Sequence, residues 1–329
     1  MSDFPKSIHI KEEGAREGFQ MEKGPIPTAR KIELINALSQ TGLKHLQTMS
    51  FVDPRRVPGM ADAEEVLAGI TLKPGVLYEA LWLNEKGLDR ALAMGRFPLE
   101  GNISMCASEK FLKNNYNRTF EENIAYTHRV VQSYKDRGMP IRRGGISAAF
   151  GCNFQGDVAP STVVKIVRQI LDIAAGHDVS INNVLLADSM AWATPMLIRR
   201  VVGAVREAYP GLRIILHLHD TRGMGIANAY AGLEMGVDMF DASVAGLGGC
   251  PFADHKGAAG NVCTEDLVFM CHEMSIATGV DLDALIECAW LAEDIVGHPL
   301  PGSVKAGGNL AALRRKAALV KGVAKPEVN

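Results

Sequence analysis

The sequence predicts an α/β protein of the (β/α)8 TIM-barrel class with an additional C-terminal helical region. Three observations carry that expectation. Short apolar or β-branched runs alternate eight times with helix-patterned segments, the count of such a barrel within roughly 250 residues. Polar residues gather at the C-terminal ends of these runs, where a barrel keeps its working groups. The GxGxxG turn of a doubly wound dinucleotide-binding sheet is missing, and the nearest match, Gly223-Met-Gly225-Ile-Ala-Asn228, lacks its third glycine.

The eight expected strands are SIHIKEEG (7–14), LKHLQTMSFV (43–52), GVLYEALWL (75–83), GNISMCAS (101–108), IRRGGISAAF (141–150), NNVLLADS (182–189), RIILHLHD (213–220) and MFDASVAGL (239–247). Helical patterns separate them. PTARKIELINALSQTG puts Ile32, Leu34, Ile35 and Leu38 on one side and stops at Gly42, a suitable residue just past a helix end. DAEEVLAGI offers Asp62 as N-cap with Glu65 three residues on. STVVKIVRQILDIAAG repeats apolar residues at 163, 164, 167, 170, 171 and 174, a helical period. From Cys263 onward the chain reads as helices: EDLVFMCHEM, DLDALIECAWLAEDIVG and NLAALRRKAALVKG. That divides the chain into a barrel over residues 1–270 and a helical extension packed on it over 271–329.

Composition narrows the function. The 329 residues are 47% hydrophobic and 22% charged with a formal net charge of −2, which gives no electrostatic reason to expect nucleic acid or an anionic membrane as partner. The first residues show no basic stretch followed by an apolar one, and no apolar run is long enough to span a bilayer. Six cysteines without a CxxC pair read as reduced thiols, so a cytoplasmic enzyme is expected.

Candidate site residues follow from the strand ends. Strand 1 leads to Arg16, Glu17 and Gln20; strand 2 carries Gln47; strand 6 ends in Asp188-Ser189; strand 7 ends in His217, His219 and Asp220. Strand 8 runs into Gly246–Pro251 and then Asn261. His217 and His219 stand at i and i+2, so on a strand both rings face one way. They are either packed core histidines or half of a chelate. A strand-1 carboxylate and the Asn261 amide oxygen would complete a mixed N/O set suited to Mg²⁺ or Mn²⁺. Arg16 is either a surface ion-pair residue or a fixed cation for an oxyanion or enolate. Cys250, among glycines, is either a small buried hydrophobe or a loop acid/base. Cys106, Cys152, Cys263, Cys271 and Cys288 are taken as structural. His45, His128, His177, His272 and His298 are expected to be structural or exposed, without partners. The arginine doublets 55–56, 142–143 and 199–200 are expected on solvated faces.

Five segments together carry a resemblance: GAREGFQMEKG (14–24), TMSFVDPRRVPGMADAEEVLAGI (48–70), FGCNFQGDVAP (150–160), HLHDTRGMGIANAYAGLEMGVDMFDASVAGLGGCPFA (217–253) and AAGNVCTEDLVFM (258–270). The chain resembles the 3-hydroxy-3-methylglutaryl-CoA lyase branch of the metal-dependent TIM-barrel lyases and Claisen-type synthases. The resemblance implies a divalent ion, Mg²⁺ or Mn²⁺, on Glu17, His217, His219 and Asn261. It implies catalytic roles for Arg16, Asp188, His217 and Cys250, and substrate contacts from Arg16, Gln20, Gln47 and Ser189. The implied reaction cleaves a 3-hydroxyacyl-CoA to acetyl-CoA and a keto product, in a homodimer. Three positions depart from the pattern: Glu17 replaces an aspartate, Gln47 replaces a glutamate, and the loop after Cys250 is longer and carries Asp254-His255-Lys256. They leave another substrate open, citramalyl-CoA or a longer branched glutaryl-CoA. Two rivals are a condensing synthase sharing the barrel and a non-catalytic barrel that only binds.

Overall fold

The computed structural model describes residues 4–249 and 260–320. Its eight strands are β1 (His9–Glu12), β2 (His45–Phe51), β3 (Leu77–Trp82), β4 (Gly101–Cys106), β5 (Ile141–Ser147), β6 (Asn183–Ala187), β7 (Arg213–His217) and β8 (Met239–Ala242). Each lies inside the run expected from sequence. All are parallel, and the ladder runs β3-β2-β1-β8-β7-β6-β5-β4. The sheet thus curls round on itself, and the fold is a (β/α)8 TIM barrel followed by C-terminal helices. Its two ladder edges, β3 and β4, face each other across a seam and share no ladder among the described residues.

The helices are α1 (Phe19–Met21), α2 (Thr28–Gln40), α3 (Ala63–Gly69), α4 (Glu85–Met94), α5 (Glu109–Tyr116), α6 (Phe120–Asp136) and α7 (Pro160–Gly176), then α8 (Pro195–Ala208), α9 (Gly225–Glu234), α10 (Thr264–Glu273), α11 (Leu282–Val296), α12 (Val304–Gly307) and α13 (Leu310–Val320). Local signals start and stop them. Asn84, Ser108, Thr194 and Asp281 cap α4, α5, α8 and α11 through side-chain oxygens, and Thr119 with Glu122 forms a capping box on α6. Gly42 follows α2 with φ +96°, and a Cβ there would run into the Gly279 carbonyl. On α7 the buried stripe is Val163, Ile166, Val167, Ile170, Ile173 and Ala174, while residues 164 and 171 lie at its margin. Asp62 sits at the expected N-cap of α3 but makes no cap. Its carboxylate is drawn instead to Lys31 Nζ at 2.6 Å and the Thr28 hydroxyl at 2.7 Å, a charged partner outbidding the backbone amides.

One apolar core runs between the barrel and its helices, and Leu282, Leu285 and Ala289 of α11 belong to it. Inside the barrel, parallel register sets side chains of partner residues side by side. Lys11 is partnered with both His45 and Asp241, Asp241 also with His217, and Gln47 with Glu79. Barrel interiors usually fill such layers with branched aliphatic residues. Here one layer is charged.

Candidate active site

Strand β1 ends at Glu12, and Arg16 and Glu17 lie just beyond it in a wide, π-type helical turn, Gly14–Gly18. They lie at the strand end expected for them. The turn folds the two side chains back over the barrel mouth, where such widened turns often serve function. Glu12 fastens it, accepting N–H bonds from Gly14 at 2.7 Å and from Val244 at 2.9 Å. Ladder pairing of β7 stops at His217, yet the chain stays extended to His219, which bridges Asn261 across the mouth. The two imidazoles therefore remain neighbours, with ring centroids 5.1 Å apart.

Glu17 Oε1 lies 3.8 Å from His217 Nε2 and 3.4 Å from His219 Nε2. One ligand atom from each residue falls within 4.8 Å of the others. His219 Nδ1 faces the Asp188 carbonyl oxygen at 2.6 Å, which puts the proton on Nδ1 and leaves the Nε2 lone pair open. Asn261 Nδ2 donates to the Leu247 carbonyl at 3.3 Å, which turns Oδ1 the other way. His219 Nε2 and Asn261 Oδ1 are both buried without a hydrogen-bond partner. Orphaned buried acceptors are costly unless something absent satisfies them. Gly248 presses on the same spot: with φ +99°, a Cβ there would lie 2.5 Å from Asn261 Nδ2 and 3.2 Å from Glu17 Cγ. The donor set is two imidazole nitrogens with carboxylate and amide oxygens, and it fits a divalent cation.

Behind the histidines stand two further carboxylates. His217 Nδ1 is 3.4 Å from Asp241 Oδ2 and 3.5 Å from Glu13 Oε2. Such carboxylate–imidazole contacts orient a ligating histidine. Lys11 Nζ neutralises both acids, at 2.6 Å from Glu13 and 3.3 Å from Asp241. Burial opposes the His217 charge, but Glu17, Asp241 and Glu13 outweigh it and raise its pKa to about 9. Burial likewise pushes the Glu17 carboxyl up, yet Arg16 and the two histidines hold it well below the usual carboxylate range. Burial opposes the Lys11 charge as well, and Asp241 and Glu13 overcome it.

Arg16 is 9% exposed, and side chains occupy three sides of its guanidinium. Nη2 donates to Glu13 at 2.7 Å, Nη1 meets Glu17 at 2.7 Å, and Nε donates to Gln47 Oε1. Gln20, on α1, has its Oε1 buried and without a hydrogen-bond partner. Asp188 closes β6; its Oδ1 accepts N–H bonds from Trp192 at 2.7 Å and Ala193 at 3.0 Å, while Oδ2 is left unpartnered. Burial raises the Asp188 pKa. Ser189 Oγ accepts from the Ala148 N–H at 2.9 Å and ties β6 to β5. Cys250 and the Asp254–Lys256 stretch lie outside the described residues.

Several expectations need correcting. His45 is the first residue of the buried β2, with Nε2 3.0 Å from Glu79 and Nδ1 3.3 Å from His9. His128 and His177 bond each other at 3.0 Å, His272 meets Thr278 at 2.8 Å, and His298 meets Glu22 at 2.7 Å. Each has a partner because the fold brings one that spacing in the sequence does not show. Arg142 is exposed as expected, but Arg143 turns into the barrel, 3.6 Å from Glu79. In an inward-outward alternation, adjacent arginines must part company. Lys11, Glu13, Glu79 and Asp241 were missed altogether. The signal for the first two was present: they stand at i and i+2, the same spacing that singled out His217 and His219.

A cavity of about 770 Å³ opens at the β3–β4 seam. Its inner wall includes Gln47, Glu79 and Arg143, and its outer wall Leu83, Tyr116 and Tyr126. It does not contain the histidine cluster; Gln47 is the shared boundary, because it also holds Arg16.

A parallel barrel with a convergent carboxylate–histidine cluster at its C-terminal mouth defines a class, the metal-dependent barrel enzymes. The HMGL-like family model matches residues 7–291, and the chain belongs to that family. It is 40% identical to the mitochondrial hydroxymethylglutaryl-CoA lyase of Gallus gallus over 284 residues, 86% of this chain and 92% of that protein. It is 39% identical to the cytoplasmic 3-hydroxy-3-methylglutaryl-CoA lyase of Rattus norvegicus over 287 residues, 87% of this chain and 80% of that one. An HMG-CoA lyase of Acinetobacter baumannii, solved with coenzyme A and 3-methylmalate, superimposes with a TM-score of 0.81 at 35% identity, covering 94% of this chain and 96% of its own.

Proposed function

We propose that this protein is a metal-dependent carbon–carbon lyase that cleaves 3-hydroxy-3-methylglutaryl-CoA, or a close 3-hydroxyacyl-CoA ester, to acetyl-CoA and a keto acid. The observation that carries the reading is the set of open lone pairs on buried His219 and Asn261, beside Glu17 and against the guanidinium of Arg16. Glu17, His217, His219 and Asn261 would hold Mg²⁺ or Mn²⁺. The bound ion would acidify the substrate's 3-hydroxyl. The unpartnered Oδ2 of Asp188 is a base of raised pKa suited to taking that proton, with His217 beside it. The C2–C3 bond then breaks, its electron pair forming the enolate of acetyl-CoA while the old hydroxyl carbon becomes a ketone. Arg16 faces the enolate oxygen as a fixed cation. Cys250 returns a proton to C2, and Gln20, Gln47 and Ser189 border the substrate. Residues 1–270 supply this barrel and 271–329 the helical extension.

We further propose a homodimer in the cytoplasm, in line with the cytoplasmic rat relative. No helix among the described residues is long and apolar enough to cross a membrane. A second substrate reading follows from the longer carboxylate at Glu17 and the neutral Gln47, which change the reach and charge around the acyl group: citramalyl-CoA or a longer branched glutaryl-CoA. One experiment separates these. The protein with Mn²⁺ is given a panel of 3-hydroxyacyl-CoA esters and acetyl-CoA release is followed. Release from 3-hydroxy-3-methylglutaryl-CoA is expected. Release only from another ester moves the substrate, and release from none defeats the lyase reading.

A further inference from the structure

We propose that Glu79 is a positioning residue for the lyase reaction: it holds Gln47, and through Gln47 it sets the guanidinium of Arg16. The inference rests on the lyase reading above.

The argument starts from register. Gln47 and Glu79 are partners across β2 and β3, so their side chains lie side by side inside the barrel. A glutamine amide has one accepting and one donating end. The accepting end, Oε1, takes the Arg16 Nε–H, which can only donate. The donating end, Nε2, then needs an acceptor, and Glu79 Oε2 meets it at 3.4 Å. With both ends matched to groups that cannot exchange roles, the amide has one orientation rather than two. Arg16 Nε is thereby fixed, and the guanidinium edge that would meet the enolate is fixed with it.

Glu79 is itself anchored. Oε1 lies 3.0 Å from His45 Nε2, while Oε2 lies 3.6 Å from Arg143 and 3.8 Å from Lys11. Burial favours its neutral form, but Lys11, Arg143 and His45 outweigh burial and hold its pKa well below the usual carboxylate range. It therefore presents a full charge to Gln47. The chain runs His9–His45–Glu79–Gln47–Arg16, from the N-terminal end of β1 to the reacting pole. Both Gln47 and Glu79 also line the seam cavity, so this support is reachable by solvent from the side.

The test is steady-state kinetics on the Mn²⁺-loaded enzyme, with thermal melting of each variant. In Glu79→Gln, residue 79 offers either amide end and no charge, so the orientation of Gln47 is no longer dictated from both sides. The expected result is a kcat lower by about tenfold with KM within about twofold, since misplacing a catalytic group costs rate before affinity. In Glu79→Gln combined with Gln47→Glu, a carboxylate faces Arg16 directly and residue 79 can donate to it. That double variant should recover to within about threefold of the wild-type kcat. An unchanged kcat in Glu79→Gln, or a double variant no faster than the single one, overturns the proposal. If the wild type binds Mn²⁺ and releases no acetyl-CoA from any ester, the lyase reading itself has failed, a result distinct from either.

Discussion

The two poles of the site are built on opposite principles. At the histidine pole, acceptors are gathered and left open: His219 Nε2 and Asn261 Oδ1 are buried with nothing to accept from. At the guanidinium pole nothing is open in that sense. Arg16 has a side-chain partner on each of its three nitrogens, and Gln47 is matched at both ends. One pole is completed from outside and the other from within. The first should therefore answer to metal supply, and the second to changes in the charged layer beneath it.

The widest separation between the poles should come from His219→Ala. Removing a ligand should cost no less than removing the groups that orient one, so activity and Mn²⁺ affinity should both fall by at least about 100-fold. Titration with Mn²⁺, read by electron paramagnetic resonance alongside turnover, checks it. Retained affinity would take His219 out of the chelate. Arg16→Lys should act the other way. It keeps a cation but loses the fork that engages Glu13, Glu17 and Gln47, and kcat should fall by about 100-fold. Mn²⁺ affinity should change much less. Equal losses in both would merge the two poles into one unit.

The smallest effect concerns carboxylates with no cationic partner among the described residues. Burial pushes Glu12 and Glu265 up to about 7, whereas Asp241, also fully buried, is held below the usual range because Lys11 and His217 outweigh its burial. A pKa raised in the folded state gives stability that is present below about 4.5 and is lost as pH rises through about 7. Glu265→Gln should remove its share of that dependence, on the order of 1 kcal/mol between pH 5 and pH 8. Urea unfolding at the two pH values measures it, and identical slopes in wild type and variant would show that Glu265 does not titrate on folding.

The strands and the histidine pole were legible because each left a local mark. Apolar runs of the right length announced β1 to β8, and His217 and His219 stood out as two imidazoles in one such run. The charged layer was harder to see. Lys11 meets Asp241 only because β1 pairs with β8, and Gln47 meets Glu79 only because β2 pairs with β3. Those pairings join residues far apart in the chain, and a charge in a strand usually signals a solvated face. Arg16 and Glu17 stand at the strand end expected for them, but the shape of their turn was not legible. GAREG has no apolar periodicity, so nothing local marks a widened helical turn. Asp62 shows the limit of local rules from the other side: the capping signal was correct in form, and Lys31 took the carboxylate.

The seam between β3 and β4 has a mechanical consequence. A hoop with every joint fastened shares a strain around its circumference; a hoop with one joint unfastened yields there first. β3 has its hydrogen-bonded neighbour only on the β2 side and β4 only on the β5 side. On that topology a breathing motion opens first between β3 and β4, and β3 carries Glu79, one strand from Gln47. The histidines, on β7 and beyond it, lie on the fastened side of the hoop. The same barrel thus mounts its two histidines on and beyond a strand fastened on both sides, and the Glu79 support of Gln47 on a strand fastened on one.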